Sequence, residues 1–203
     1  MIGPEPFKLH AGHPALELVN TLDFRFSAQT VDLIPTYKDL LRLGTQLQML
    51  TAEQARKLGR TVGEEEARRV VASTVELREA LAKVLYGRID GTRPPAVQLR
   101  VLERKFHAAA LHRRLMTGEL HLEWSWAGEE RQAEIPLWML AQAASDLLVS
   151  SDAELIKDCG DPTCRWLFLD VSKNHTRRWC DMKTCGNRMK ARRHHARAQE
   201  EGD

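Results

Sequence analysis

The chain has 203 residues, 43% of them hydrophobic and 29% charged, and a formal net charge of +2. That length allows one domain of ordinary size and a small second one, with enough apolar residues for a packed core. No stretch approaches the ~20 apolar residues that span a bilayer, and the start lacks a basic region followed by an apolar one, so neither a membrane helix nor a secretory signal is expected.

In chain order, Leu16-Glu17-Leu18-Val19-Asn20 is the first apolar run and a candidate strand. Asn20, Thr21, Asp23 and Arg25 follow it as a compact polar cluster. They read first as caps and surface charges, with Asn20, Thr21 and Arg25 as candidate ligand-binding residues should the domain sense a small molecule. After Pro35, Leu40, Leu41, Leu43, Leu47 and Leu50 mark an apolar face at helical spacing. Thr51-Ala52-Glu53-Gln54 fits a capping box and predicts a helix from Ala52. The strongest helix is predicted from Glu64 to about Ile89: three acids suit the positive end of its dipole, and Val70, Val71, Thr74, Leu77, Leu81, Val84 and Leu85 form a buried stripe. Pro94-Pro95 opens a further helix to about Met116, with Leu99, Leu102, Phe106 and Ala110 inward. Leu120 to Trp126 alternates apolar and polar residues as a strand does, with residues 16–20 as its candidate partner. Pro136 to Val149 is predicted helical, with Leu137, Leu140, Ala144 and Leu147 or Leu148 inward.

The composition changes near Lys157. Residues 1–156 carry 19 Lys/Arg against 21 Asp/Glu; residues 157–197 carry 11 against four. The same segment holds all four cysteines, Cys159 and Cys164, then Cys180 and Cys185, each pair spaced C-x4-C. In an otherwise cysteine-free chain this is the ligand set of a structural tetrahedral zinc. Two disulfides are the alternative, disfavoured in a reducing cytoplasm, where the chain is expected to reside. His175, His194 and His195 are not needed to complete four ligands, and His10-x2-His13 has no carboxylate pair beside it. Two parts follow: 1–156, a helical regulatory or sensor domain, and 157–203, a zinc module too small to fold without its metal. Arg165 to Val171 has strand composition and Arg177 to Cys180 can return as its partner, with Asp181 capping a helix whose first turn carries Cys185. This is a zinc-ribbon or treble-clef plan on a mainly α chain. Trp166 and Phe168 lie on one face of the strand, and Leu167, Leu169 and Val171 on the other. A small module cannot bury both, so one face is expected to dock on the helical domain.

C-x4-C, an aromatic-rich expected hairpin, then C-x4-C-G-N-R and a basic helix together resemble the CGNR zinc-finger family; Trp166 to Asp170, Ser172 to Asn174 and Arg177 to Cys180 carry the likeness. The first 150 residues, through Leu18 to Arg25 and Tyr37 to Leu41, resemble the helical domain that accompanies this finger in bacterial proteins described as "Putative stress-induced transcription regulator". The resemblance implies zinc and DNA binding, and a stress response.

A helix from about Met182 to Arg197 aligns Arg188, Arg192 and His195 on one face. Lys190, Arg193, His194 and Arg197 broaden it, the expected hairpin adds Lys173, Arg177 and Arg178, and Asn187 beside Arg188 completes the candidate nucleic-acid contacts. With four thiolates and one Zn²⁺ counted, the segment 157–197 keeps a net +5, which suits a polyanion. Arg188 beside Asn187 can read base edges, Arg pairing with guanine and Asn with adenine, but the preferred role for the pair is structural: Asn187 bonding backbone, Arg188 neutralising the zinc–thiolate centre. Gly186 suggests close approach of the backbone to metal sulfur or phosphate. No G-x-S-x-G, P-loop or H-E-x-x-H motif is present, and a four-thiolate zinc leaves no position for water, so no enzyme is expected. The expected function is a DNA-binding transcription regulator, homodimeric or effector-responsive through its helical part. RNA binding, or a protein–protein adaptor with purely structural zinc, are the alternatives.

Overall fold

In this computed structural model, which describes residues 7–118, 121–126 and 132–200 (the last five as backbone), short strands punctuate a helical chain. The order is α1 (Pro14–Asn20), β1 (Leu22–Asp23), β2 (Val31–Asp32), α2 (Tyr37–Gln46), α3 (Ala52–Thr61), α4 (Glu64–Ile89) and α5 (Ala96–Leu111). Then come β3 (Arg113–Thr117), β4 (Leu122–Trp126), α6 (Ile135–Val149), β5 (Ile156–Asp158), β6 (Leu167–Leu169) and α7 (Asn187–Glu200). Among the described residues no helix is long and apolar enough to cross a membrane.

The long periodic stretch forms α4. Its first turn carries Glu64, Glu65 and Glu66, and Val70, Thr74, Leu77, Leu81, Val84 and Leu85 are buried along one stripe. α6 is apolar around most of its circumference, which places it in the centre, with Leu137, Leu140, Ala141, Ala144 and Leu147 buried against α1, α4 and α5. The predicted capping box at Thr51/Gln54 is formed, and Thr36/Asp39 makes a second one on α2. Arg78 is a buried cation on α4. It is held by both carboxylate oxygens of Asp32 at 2.8 Å and by Glu79, and donates to Thr21 Oγ1 at 3.2 Å, tying the β1–β2 loop to the helix.

Several local expectations are corrected. Residues 16–20 are helix, not strand: all five are buried, Glu17 and Asn20 included, so no strand-like alternation of inner and outer faces exists, and His13 caps the helix from outside, its Nδ1 accepting from Ala15 N–H, with Pro14 in the first turn. The partner of β4 is instead β3, in register Arg113↔Trp126 to Thr117↔Leu122, so α5 ends at Leu111 rather than near Met116. Leu120 lies outside the described residues. The inner face of α5 is rotated from the expected one: Leu102 and Ala109 are buried, Phe106 half-buried, while Leu99 and Ala110 face out. β6 pairs antiparallel with β5, not with residues 177–180.

β6 is where the cysteine segment meets the helices. Leu167 and Leu169 join the helical core with Ile156, whereas Phe168 and Trp166 pack with the cysteines, and Val171 is exposed. The expected docking of one strand face is therefore present. Asn20, at the end of α1, seals it. Its side chain donates from Nδ2 to Leu167 O and accepts from Leu167 N–H, both at 2.9 Å, taking the place of a neighbouring strand. Trp166 Nε1 donates to Asp23 at 3.0 Å, Leu169 N–H to Ala11 O, and Tyr86 OH to Arg165 O.

Candidate metal centre and its basic flank

The four sulfurs converge from two turns. The first lies between β5 and β6: Asp161 closes it by accepting Cys164 N–H and Arg165 N–H on its carbonyl, and Thr163 N–H and Oγ1 on its carboxylate. Arg165 takes a left-handed φ of +53° there, fixed by ion pairs to Asp158 and Asp90 and by Phe26 and Tyr86 against its guanidinium. The second turn, Met182–Gly186, is π-helical and is capped by Asp181, whose carboxylate accepts from Thr184 N–H; Cys185 sits in it and α7 begins after it. Between the turns the chain loops back under Asp170, a fully buried carboxylate that accepts from Lys157, Ser172 and Arg177 N–H. Burial alone would raise its pKa, but Lys157 and Ser172 outweigh it and hold Asp170 well below the ordinary carboxylate range. His175 closes the loop at φ +49°, a conformation histidine tolerates better than most residues.

The sulfurs of Cys159, Cys164, Cys180 and Cys185 all lie within 4.8 Å of one another. Cys164–Cys180 and Cys180–Cys185 are 3.6 Å apart, far beyond a disulfide bond, and the cysteines are free. A tetrahedron with metal–sulfur bonds of ~2.3 Å has edges of about 3.8 Å, so the donor set fits Zn²⁺. Hydrogen bonds from Cys164 and Cys180 draw the Cys159 thiol far below its ordinary value, and the same contacts push Cys164 and Cys180 up. Four thiolates coexist here only when a cation replaces their shared protons. Cys159, Cys180 and Cys185 are buried and Cys164 partly so, with Trp166, Phe168 and Trp179 around them. Four protein ligands leave the zinc closed and structural.

The predicted basic residues separate into two groups. Arg177 points inward: it donates to the carbonyls of His10, Leu169, Trp179 and Cys180, and its guanidinium lies 4.3 Å from the Phe168 ring. Arg188 donates to Asp161 and to Cys185 Sγ, the latter at 3.3 Å, and Arg192 reaches Asp161 at 3.3 Å. Burial opposes ionisation of Asp161, but Thr163 and Arg188 more than compensate and lower its pKa. Asn187 donates to Lys183 O, and Arg193 Nε to Met189 O while its side chain stays exposed. Lys173, Arg178 and Lys190 are exposed, and Arg197 lies on α7 where only the backbone is described. A Cβ on Gly186 would first meet Met182 and Trp179, ahead of any cysteine sulfur. The candidate ligand residues lie apart from this flank: Thr21 donates to Leu18 O, and Arg25 pairs with Glu79.

Sequence reasoning missed Asp161 as the organiser of Arg188 and Arg192, and Asn20 as the clamp on β6. Asp161-Pro162-Thr163 is a turn signature that could have pointed to the first; nothing local marks the second.

No curated protein matches the chain. The profile described as CGNR zinc finger matches residues 156–198, enclosing the four cysteines. A second, described as "Putative stress-induced transcription regulator" (ABATE), matches residues 12–151, from α1 to the turn after α6, and the chain accordingly belongs to that family, with a zinc finger of the CGNR type beside it.

Proposed function

We propose that this protein is a cytoplasmic transcription regulator that binds duplex DNA through the flank of its zinc finger, while the helical part answers to a signal. The observation that carries the reading is the set of exposed cations left over once the site's own needs are met. Lys173, Arg178, Lys183, Lys190 and Arg193 are exposed and form no ion pair among the described residues. Cations so arranged bind phosphates by releasing counterions, with a log–log salt slope of about −4 to −5 if all five engage.

Fluorescence anisotropy of the zinc-loaded protein on duplex DNA across a salt series tests this. Arg178→Ala and Lys190→Ala should each flatten the slope by about one. Absence of salt-sensitive binding at micromolar protein, or tighter binding to hairpin RNA than to duplex DNA, overturns it.

A further inference from the structure

We propose that the cleft between α2, α3 and α4 is a binding site for an amphipathic organic anion, a small molecule with an apolar body and one acidic head group. The cleft encloses about 1060 Å³, at the top of the range usual for small-ligand sites, ~300–1,000 Å³. It exists because α3 is held mainly from one side: Leu58 is its one buried residue, and α2 is the helix's main neighbour. The facing part of α4 thus keeps Ala67 and Val71 only half-buried, and these meet Leu41, Ala55 and Val62 across the gap.

A glycine keeps the cleft open. Gly59 stands inside α3, where glycine weakens a helix relative to alanine. A Cβ there would meet its nearest neighbour, Leu41 Cδ1, at 3.6 Å, an ordinary contact, so packing does not require the glycine. Gly44 on α2 is the contrast, since its Cβ would come within 2.9 Å of Leu50. At position 59, among the residues that line the cleft, a large side chain would occupy the space a ligand needs.

The rim is cationic. Lys38, Arg42, Arg56, Arg60 and Arg68 border the cleft against one acid, Glu64. Arg68 is taken up by Glu64 and Glu65. Lys38, Arg56 and Arg60 are exposed and form no ion pair among the described residues. Arg42 reaches Asp39 at 3.4 Å, yet its Nε is buried with no hydrogen-bond partner. An apolar trough under unpaired guanidinium groups is complementary to a molecule that is greasy along its length and negative at one end.

This deepens the reading of the helical part as the sensing one, but its readout involves no nucleic acid, so either reading can fail alone. The probe is 1-anilinonaphthalene-8-sulfonate on the full zinc-loaded chain, displaced by decanoate, with decanol as the uncharged control. Decanoate should displace the dye at least about tenfold more effectively than decanol. Arg56→Ala and Arg60→Ala should each weaken it by up to about fivefold, the worth of an exposed ion pair. Gly59→Leu should reduce dye and decanoate binding about tenfold or more without lowering the thermal midpoint, since it removes a helix-weakening glycine. Equal displacement by decanol, binding indifferent to all three substitutions, or displacement by heparin but not decanoate would each overturn the proposal. The last outcome would place the anion on the zinc finger's flank instead.

Discussion

Asn20→Ala tests whether the zinc finger is locked to the helical domain by a side chain posing as a strand. Asn20 is 4% exposed and gives both polar groups of its amide to the backbone of Leu167, whose own exposure is 0%. Truncation removes two hydrogen bonds and leaves Leu167 N–H and C=O buried without partners. Each stranded group costs on the order of 1–3 kcal/mol, so the loss should be about 2–6 kcal/mol, a large part of an ordinary domain's stability of ~5–15 kcal/mol. Asn20→Asp should not rescue it. The acceptor for Leu167 N–H survives, but an oxygen would then face Leu167 O and a charge would be buried. Urea unfolding of zinc-loaded protein gives the free energy, and hydrogen exchange at the Leu167 amide gives the location. A change below about 0.5 kcal/mol with unaltered protection at Leu167 would refute the clamp, since the groups would then have found other partners.

Two further outcomes follow from the geometry. Cys185→Ser is expected to abolish stoichiometric zinc in native mass spectra and to disorder the segment 156–198 by circular dichroism; full zinc in the variant, or a folded tail without metal, sinks the ligand assignment. Burial lifts the Glu17 carboxyl from 4.5 to about 7, against hydrogen bonds from the backbone of Ala11, Gly12 and His10. Because the folded pKa lies above the unfolded one, the stability that Glu17 contributes is whole below pH 4.5 and is lost as pH rises through 7, by about 3 kcal/mol. Relative to wild type, Glu17→Gln should therefore gain about that much between pH 4.5 and 8 in parallel urea titrations; parallel curves would contradict a protonated Glu17.

What could be read from the sequence follows from how local the signal is. α4 was legible because 26 residues repeat one period, and α3 because Thr51 and Gln54 satisfy each other within a single turn. The four ligands were legible because chemistry alone picks them out. Residues 16–20 were not, since five apolar and polar residues fit either period, and His13-Pro14, the pair that decides the matter, lies just before them. The partner of β4 was missed because Arg113–Thr117 carries no strand period of its own and follows a helix without a break. The basic residues show the limit most directly. Arg177 and Arg178 are adjacent and alike in sequence, yet one is spent on four backbone carbonyls and the other stays exposed. Only the path of the loop around Asp170 separates them.

That separation bears on how the finger's charge should be counted. Four thiolates and one Zn²⁺ leave −2 at the centre, and the buried Asp161 adds one more negative charge beside it. Arg188 and Arg192 turn toward this pocket of charge, Arg188 reaching Cys185 Sγ itself. Lys157 is taken by Asp170 and Arg165 by Asp158 and Asp90. Among the described side chains of the 11 Lys/Arg between 157 and 197, four are thus ion-paired and Arg177 is sequestered without an acid. The cations nearest the sulfurs stabilise the site, and those farther out on the loop and on α7 are the ones free to meet a polyanion. A substitution series that treated all of these residues as one basic patch would mix loss of folding with loss of binding. On the function proposed above, Arg177 and Arg188 belong to the first kind, and Arg178 and Lys190 to the second.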